Sequence, residues 1–232
     1  MSSSLKNLTG ALIVSCQPLA GSPMDHDEIV VAMALAAQAG GAHALRIEGA
    51  QRVQQVVSRV RIPVIGIVKR DLLASEVRIT PCLEDVDALC AAGAAAIAMD
   101  ATLRSRPVPV QSLLERIRYH ERQAMADCSC AADGLAAHRL GFDFIGSTLS
   151  GYTAETACSH DAPPDWNLIR QLSQQGCRVV AEGRIRTPEQ AAQALREGAQ
   201  AVTVGSAITR IEHITDWFVQ AVRNAAPTHA CS

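Results

Sequence analysis

The sequence predicts a single-domain α/β fold, a (β/α)8 TIM barrel, and three observations lead to this prediction. Eight apolar runs of strand length alternate with stretches of helical character along the chain. A glycine recurs shortly before every second run. Finally, 232 residues divided among eight units give 29 residues per unit, close to the minimum for a barrel of roughly 200 to 250 residues.

The predicted strands are short and apolar. They read ALIVSC from position 11, ALRI from 44, VIGIV from 64, AAIAM from 95, AMADC from 124, FIGSTL from 144, VVAEG from 179 and AVTVG from 201. Segments rich in Ala, Leu, Gln, Glu and Arg lie between them, for example DEIVVAMALAAQAG, QSLLERIRYHERQ and TPEQAAQALREG. Strands that alternate with helices pair in parallel through crossover connections.

Helix ends are marked by capping residues and glycines. Thr187 can cap the helix that begins at Pro188, and Gly198 can end it. The segments GAHA, GAAA, GFDF and GAQA, starting at 41, 93, 141 and 198, each end a helix and enter an even-numbered strand. The structural alternative is a doubly wound open sheet. It is disfavoured because no G-x-G-x-x-G motif follows the first strand and because the fourfold repeat suits a closed ring.

Composition narrows the classes of partner. A formal net charge of −2 with interspersed charges, and only three Phe, two Tyr and two Trp, argue against nucleic acid. The apolar run at 11–16 is too short for a signal peptide or a membrane span, so we expect no membrane association and a cytoplasmic location. We expect one domain over 1–232, with the barrel at about 10–222 and short tails, the last being APTHACS with an exposed Cys231.

The eight cysteines do not form a recognisable metal site. The close pair Cys128 and Cys130 is C-x-C, and no second pair stands at zinc-site spacing. The seven histidines have no H-x-H or H-x-x-x-H spacing. We therefore expect reduced thiols that pack in the core, and no metal.

Polar groups follow the predicted strands, where the active site of such a barrel lies. They are Gln17, Arg46, Glu48, Lys69, Asp100, Thr102, Asp127, Ser129, the segment 147–153, Glu182, Arg184, Gly205, Ser206 and Arg210. Strand ends also become polar merely because they meet solvent. Three of them, Lys69, Asp127 and Glu182, directly continue apolar runs and are expected inside the mouth.

The segments after strands seven and eight predict a phosphate site. Gly183, Gly205 and Ser206 are small enough for backbone N–H groups to approach an anion, and Arg210 can add a charge-assisted contact. Barrels often bind phosphate at this position.

Several motifs together make the sequence similar to a known family. In order they are IVSCQPL, ALRIEG, PVIGIVKRD, VRITPCLEDV, MADCS, STLSGYT, VAEGRIRTPEQA and VTVGSAITR. Over about residues 10 to 222 the chain resembles the N-acetylmannosamine-6-phosphate 2-epimerase family, which implies a ribulose-phosphate-binding type of barrel. Cys82 departs from the pattern, because a small hydroxyl residue is expected after ITP.

The resemblance implies interconversion of N-acetylmannosamine 6-phosphate and N-acetylglucosamine 6-phosphate in sialic acid catabolism. A base removes the C2 proton of the ring-opened sugar, an enediolate forms, and a proton returns on the other face, so no cofactor is needed. Lys69 is the expected base, provided that burial or a cation such as Arg46 lowers its pKa. Glu182 is its expected partner, as second acid/base or in ring opening and charge stabilisation. The alternative for Glu182 is that it merely forms an ion pair with Lys69. Either one base or two bases could transfer the proton at the two faces of C2.

The resemblance also implies roles in binding the phosphosugar substrate. Gln17, Arg46 and Asp127 would bind hydroxyl, acetamido or open-chain oxygens, and Tyr152 and Thr153 would line or close the mouth. Gly183, Gly205, Ser206 and Arg210 would hold the phosphate. We expect a homodimer. Two other functions stay open: Lys69 as a Schiff-base lysine of an aldolase, and a non-catalytic phosphosugar sensor.

Overall fold

Eight parallel strands close into a barrel in the computed structural model, which describes residues 5, 8–159 and 161–225. Each strand pairs with its sequence neighbours, and β8 pairs with β1. The predicted barrel is therefore confirmed, and the open sheet is excluded. The strands are β1 Ala11–Cys16, β2 Ala44–Glu48, β3 Val64–Ile67, β4 Ala96–Asp100, β5 Gln123–Asp127, β6 Phe144–Gly146, β7 Val179–Glu182 and β8 Ala201–Val204.

Helices follow the strands around the outside. They are α1 Asp27–Ala39, α2 Ala50–Val57, α3 Leu83–Ala91, α4 Val110–Tyr119, α5 Ala131–Leu140, α6 Trp166–Gln174, α7 Pro188–Arg196, the single-turn α8 Ser206–Thr209 and α9 Ile211–Ala225. The predicted cap of α7 is confirmed, because the Thr187 hydroxyl accepts a hydrogen bond from the Gln190 N–H at 3.2 Å. No helix within the described residues combines the length and the apolar character that a membrane crossing requires.

Alternate residues of each strand serve two separate cores, as the strand period of two requires. Outward side chains such as Val14, Leu45 and Ile97 pack against the helices. Inward side chains such as Ile13 and Phe144 fill the barrel interior. Two described residues of the N-terminal segment, Leu5 and Leu8, belong to this interior core and are almost fully buried.

A left-handed residue joins several helices to the strands that follow them. Gly41, Gly93, Gly141 and Gly198 have φ between 89° and 101° before the even-numbered strands, as the repeat predicts. The turn before β5 uses Glu121 instead, at φ 54°. The repeat therefore reflects the same left-handed glycine turn at four helix ends. The predicted tail 226–232 lies outside the described residues.

Candidate active site

A cavity of about 720 Å³ opens at the carboxyl ends of the strands. It is the place where a barrel carries its chemistry. Nine of the sequence-predicted site residues line it, namely Gln17, Arg46, Lys69, Tyr152, Glu182, Gly183, Gly205, Ser206 and Arg210. Asp127 and Thr153 are not on the lining.

Lys69 lies two residues beyond β3, at the base of a short antiparallel ribbon. Lys69 bridges Ile79, and the Thr80 N–H donates to the Val68 carbonyl at 2.7 Å. The backbone of Thr80 itself is left-handed, with φ 47°, and its hydroxyl donates to the Ala98 carbonyl. A β-branched residue rarely adopts this conformation, so the turn at the root of the lysine ribbon is strained.

The pKa of Lys69 lies below its ordinary value. Desolvation by the cavity walls is the largest cause, followed by the positive charges of Arg46 and Arg210. Glu48 and Glu182 oppose the shift. The side chain still reaches the water of the open cavity, so its desolvation is partial until a ligand fills the space. No described carboxylate oxygen lies within 4 Å of the Lys69 ammonium. The structure therefore disfavours the alternative in which Glu182 merely forms an ion pair with Lys69.

Arg46 and Asp127 form a buried bidentate ion pair in the centre of the mouth. Arg46 Nη2 lies 2.6 Å from Asp127 Oδ2, and Nη1 lies 3.1 Å from Oδ1. Both side chains are at most 1% exposed. Asp127 therefore stands behind Arg46, and it fixes the guanidinium that borders the cavity.

Glu182, the last residue of β7, meets the same arginine. Its Oε2 lies 3.2 Å from Arg46 Nη1 and 3.3 Å from the Thr148 hydroxyl. Burial raises the pKa of Glu182, and the charge of Asp127 adds to this, whereas Arg46 is the strongest opposing influence. Since β3 and β7 are four strands apart in a ring of eight, Lys69 and Glu182 approach the cavity from opposite sides.

The predicted phosphate-binding residues meet at the β7 and β8 ends. Gly183 has φ 109°, a conformation that glycine adopts without strain, and Gly205 leads directly into α8. Arg210 Nε donates to the Gln17 carbonyl at 2.9 Å, and Nη1 lies 3.5 Å from the Ser206 hydroxyl. Burial lowers the pKa of Arg210 from its ordinary value. No described carboxylate pairs with this guanidinium.

The remaining predicted residues differ in their surroundings. Gln17 Nε2 donates to the Ser15 hydroxyl at 2.7 Å beside the cavity. Tyr152 is 62% exposed at the rim, with the Arg184 guanidinium 5.7 Å from its ring centre. Thr153 is buried, and its hydroxyl shares a hydrogen bond with Thr156. Thr153 therefore shapes the loop that presents Tyr152.

Several lining residues have no predicted role from sequence, including Ser15, Thr148, Asp100, Arg104 and Thr203. Ser15, Asp100 and Thr203 follow from the period of two, because they lie on the inward faces of β1, β4 and β8. Thr148 and Arg104 lie in the loops after β6 and β4, whose paths the strand period does not determine. Among residues 5, 8–159 and 161–225, no three His, Cys, Asp or Glu side chains are grouped so that they could hold a metal ion.

Comparison with known proteins identifies the family. A family model described as "NanE: Putative N-acetylmannosamine-6-phosphate epimerase" matches residues 30–224. The chain belongs to this epimerase family. A relative from Edwardsiella ictaluri (strain 93-146), named "Putative N-acetylmannosamine-6-phosphate 2-epimerase", is 61% identical, and the match covers 94% of this chain and 91% of the relative.

Two further relatives of the family support the same assignment. A protein of the same name, numbered 1, from Salmonella paratyphi A (strain ATCC 9150 / SARB42) is 58% identical over 92% of this chain and 93% of its own length. The solved structure of the N-acetylmannosamine-6-phosphate 2-epimerase from Clostridium perfringens superposes with a TM-score of 0.88 at 40% identity. That match covers 92% of this chain and 94% of the solved chain.

The departure from the family pattern lies outside the cavity of this epimerase-family chain. Cys82 precedes α3 as its N-cap residue, and its backbone N–H donates to Asp85 Oδ2 at 3.2 Å. A hydroxyl is the usual side-chain acceptor at an N-cap, and a thiol is a weak one. The departure therefore concerns the start of a helix.

Proposed function

We propose that this chain is an isomerase, an N-acylglucosamine-6-phosphate 2-epimerase. It interconverts N-acetylmannosamine 6-phosphate and N-acetylglucosamine 6-phosphate in sialic acid catabolism. The observation that carries the proposal is the pair Lys69 and Glu182, which border one cavity from opposite strands beside a buried arginine. Family membership over residues 30–224 supports the choice of substrate.

Lys69 acts as the base that removes the C2 proton. An amine must be neutral to accept a proton, and the lowered pKa of Lys69 increases the neutral fraction at a given pH. A bound sugar displaces water from the cavity, which lowers the pKa further through desolvation. The electron pair of the C–H bond passes toward the C1 aldehyde and leaves an enediolate, which takes a proton on the opposite face.

Glu182 acts as the second acid/base or as the group that assists ring opening. Its raised pKa favours a protonated form that can donate to an oxygen or to C2. Arg46 lies on the cavity wall between the two groups and can stabilise the negative charge of the enediolate. Asp127 keeps the Arg46 guanidinium in position.

The other predicted residues bind the substrate. Gln17 and Tyr152 face the cavity and contact the sugar, whereas Thr153 supports the loop that carries Tyr152. The phosphate lies against Gly183, Gly205, Ser206 and Arg210. The Arg210 guanidinium, which pairs with no described carboxylate, supplies the charge-assisted contact.

The decisive experiment is an NMR time course of N-acetylmannosamine 6-phosphate with the protein in D₂O. Conversion to the gluco epimer with deuterium at C2 supports the proposal. Partial retention of the original proton at C2 in the first turnover indicates that one base serves both faces. Binding without exchange would contradict the proposal and indicate a sensor.

Cleavage of the sugar would instead indicate Schiff-base chemistry. The chain has two lysines, Lys6 and Lys69, so borohydride trapping with substrate would give a mass increase that peptide mapping assigns to one of them. The proposed proton transfer predicts that borohydride traps nothing.

We also propose that the protein is a homodimer. No residue of helix α9 is fully buried in the described chain, although the helix is strongly amphipathic. Ile211, Phe218 and Val222 lie within one face of it and are 55%, 69% and 69% exposed. A second copy covers this face. Phe218→Asp with Val222→Asp should then give monomers by analytical ultracentrifugation, and an unchanged dimer would contradict this interface.

We propose further that residues 1–232 form one barrel domain in the cytoplasm, with the barrel at about 10–222. The ring of strands from Ala11 to Val204 supports a single unit. The free thiols of the described residues, among them the buried Cys16 and Cys128, support a reducing compartment. Limited proteolysis tests the single domain, which should resist cleavage as one unit. Cell fractionation tests the cytoplasmic location.

A further inference from the structure

Thr148 lies between the two carboxylates of the mouth. Its hydroxyl is 2.7 Å from Asp127 Oδ1 and 3.3 Å from Glu182 Oε2. Arg46 Nη1 lies 3.1 Å and 3.2 Å from the same two oxygens. Thr148 and Arg46 therefore bridge one pair of carboxylate oxygens from two sides.

These two bridges differ in what they can donate and accept. The guanidinium only donates, so it favours a charged carboxylate at both positions. The Thr148 hydroxyl carries one proton and two lone pairs. If it donates to Asp127, its contact with Glu182 is a hydrogen bond only when Glu182 carries a proton. When Glu182 is charged, the Thr148 hydroxyl can rotate and donate to it, and Arg46 still donates to Asp127.

The surrounding chain holds Thr148 at this point. A Cβ atom on Gly146 would lie 2.9 Å from the Thr148 hydroxyl and 3.2 Å from Asp127 Oδ1, so only glycine leaves room for the contact. The neighbouring Ser147 hydroxyl accepts from the Glu182 N–H at 3.0 Å and donates to the Glu182 carbonyl at 2.9 Å. Adjacent hydroxyls thus hold both the backbone and the carboxyl group of Glu182.

We propose that Thr148 is a positioning residue for Glu182, whose rotating hydroxyl lets this carboxyl group gain and lose a proton without moving. The inference rests on the acid/base role proposed above for Glu182. It adds a residue to the site whose effect on the reaction passes through Glu182.

The charged groups that face Glu182 come from three other elements. They are Arg46 from β2, Lys69 from the ribbon after β3 and Asp127 from β5. The neighbouring β8 contributes the uncharged Thr203, paired with Glu182 in register. Because the hydrogen bond from Thr148 lowers the pKa of Glu182, its removal should raise that pKa.

The test compares Thr148→Val, which keeps the shape and removes the hydroxyl, with Thr148→Ser, which keeps the hydroxyl. We expect Val to lower kcat by about 10- to 100-fold, the size of a lost hydrogen bond to a charged group, with KM changed less than about threefold. The limb of the kcat profile that reports Glu182 should move to higher pH. Ser should restore both kcat and the profile.

A second readout does not depend on turnover. Carboxyl-labelled glutamate, assigned with Glu182→Gln, gives the pKa of Glu182 by ¹³C NMR, and we expect a higher value in Thr148→Val. Thr148→Ala provides the same test if Val does not fold. The matched control is Ser58→Ala, because the Ser58 hydroxyl donates to the Gln55 carbonyl at the same 2.7 Å, at the end of α2 and outside the cavity lining. It should leave the pH profile unchanged.

Three results would overturn the inference: an unchanged pKa of Glu182 in a folded Thr148→Val protein, equal defects in the Val and Ser variants, or a shifted profile in the Ser58 control. Failure of the proposed role of Glu182 is a separate result. It would be seen as full turnover in Glu182→Gln, whereas the NMR shift in Thr148→Val tests the contact itself.

Discussion

The bottom and the mouth of the barrel interior are made from the same inward faces of the same strands, yet they have opposite chemistry. At the bottom the inward side chains are apolar: Ile13, Ala44 and Phe144 pack with Leu5 and Leu8, and the Arg178 guanidinium lies 4.4 Å from the centre of the Phe144 ring. At the mouth the inward residues are polar, with Arg46 two positions after Ala44 and Glu182 two positions after Val180. A step of two residues along a strand covers about 6.6 Å.

Because of this difference, the bottom of the barrel stabilises the fold and the mouth carries the groups that react. The bottom layer removes apolar surface from water and so favours folding. The mouth buries charges, whose desolvation opposes folding unless each has a partner. Arg46 and Asp127 compensate one another, although the Nε of Arg46 has no hydrogen-bond partner among the described residues. Mutations in the two layers should therefore have different signatures.

The largest effect is expected from Lys69→Ala. Loss of the base should lower kcat by about 100- to 10,000-fold, because this is the usual range of general base catalysis. Circular dichroism should show an intact fold, since the side chain reaches the water of the cavity. Lys69→Arg is the matched control: it keeps the charge but stays protonated, so it should be equally inactive.

The pH dependence tests the same assignment. In the wild type, activity should fall as pH drops through the lowered pKa of Lys69, because the ammonium form cannot accept the C2 proton. Substantial residual turnover in Lys69→Ala, or a rate that rises toward acid, would contradict the assignment.

Asp127→Asn should lower both the stability of the protein and its kcat. Breaking a buried ion pair costs about 3–5 kcal/mol of stability, because the partner charge stays buried and uncompensated. Urea unfolding measures this loss, and kcat should fall as well because Arg46 is no longer fixed. A stable variant with normal kcat would show that the pair is dispensable.

Ile13→Ala should affect the bottom layer alone. Truncation of a buried isoleucine costs about 2–5 kcal/mol through lost burial and the cavity that remains. Because Ile13 lies below the polar layer, kcat of the folded fraction should be unchanged. A large fall in kcat under native conditions would contradict the separation of the two layers.

Arg210→Ala should act on substrate binding. Loss of a charge-assisted contact to phosphate is worth about 1.5–3 kcal/mol, which corresponds to a rise in KM of roughly 10- to 100-fold with a smaller change in kcat. Steady-state kinetics with the phosphorylated sugar measure it. An unchanged KM would remove Arg210 from the phosphate site.

The smallest effect concerns the departure from the family pattern. Cys82→Ser should raise the free energy of unfolding by about 0.5–1 kcal/mol, because serine is a better N-cap than cysteine for α3. Thermal unfolding measures the gain, and kcat should not change because Cys82 is not on the cavity lining. Lower stability would show that packing of the Cys82 thiol stabilises the protein more than the capping hydrogen bond of a serine.

The loop after β6 shows where sequence reasoning stops. Thr148 and Thr153 are equally plausible hydroxyls in one polar segment, and the family resemblance favours Thr153. In the folded chain Thr153 bonds to Thr156, whereas Thr148 lies on the cavity between two carboxylates. The path of a loop depends on contacts with other elements, here Asp127 of β5 and Glu182 of β7, and a local pattern does not contain them.

The eight units, their parallel order and the family motifs could all be read from the sequence, because they depend on local periodicity and on residue order. Parallel strands bring their carboxyl ends to one edge, so Lys69, Arg46 and Glu182 could be predicted to meet. Only the tertiary structure decided that Asp127 stands behind Arg46, that Arg210 joins Arg46 in lowering the pKa of Lys69, and that Thr148 joins two carboxylates. Burial and electrostatic interaction depend on distances between residues far apart in the chain, and closure of the barrel sets those distances.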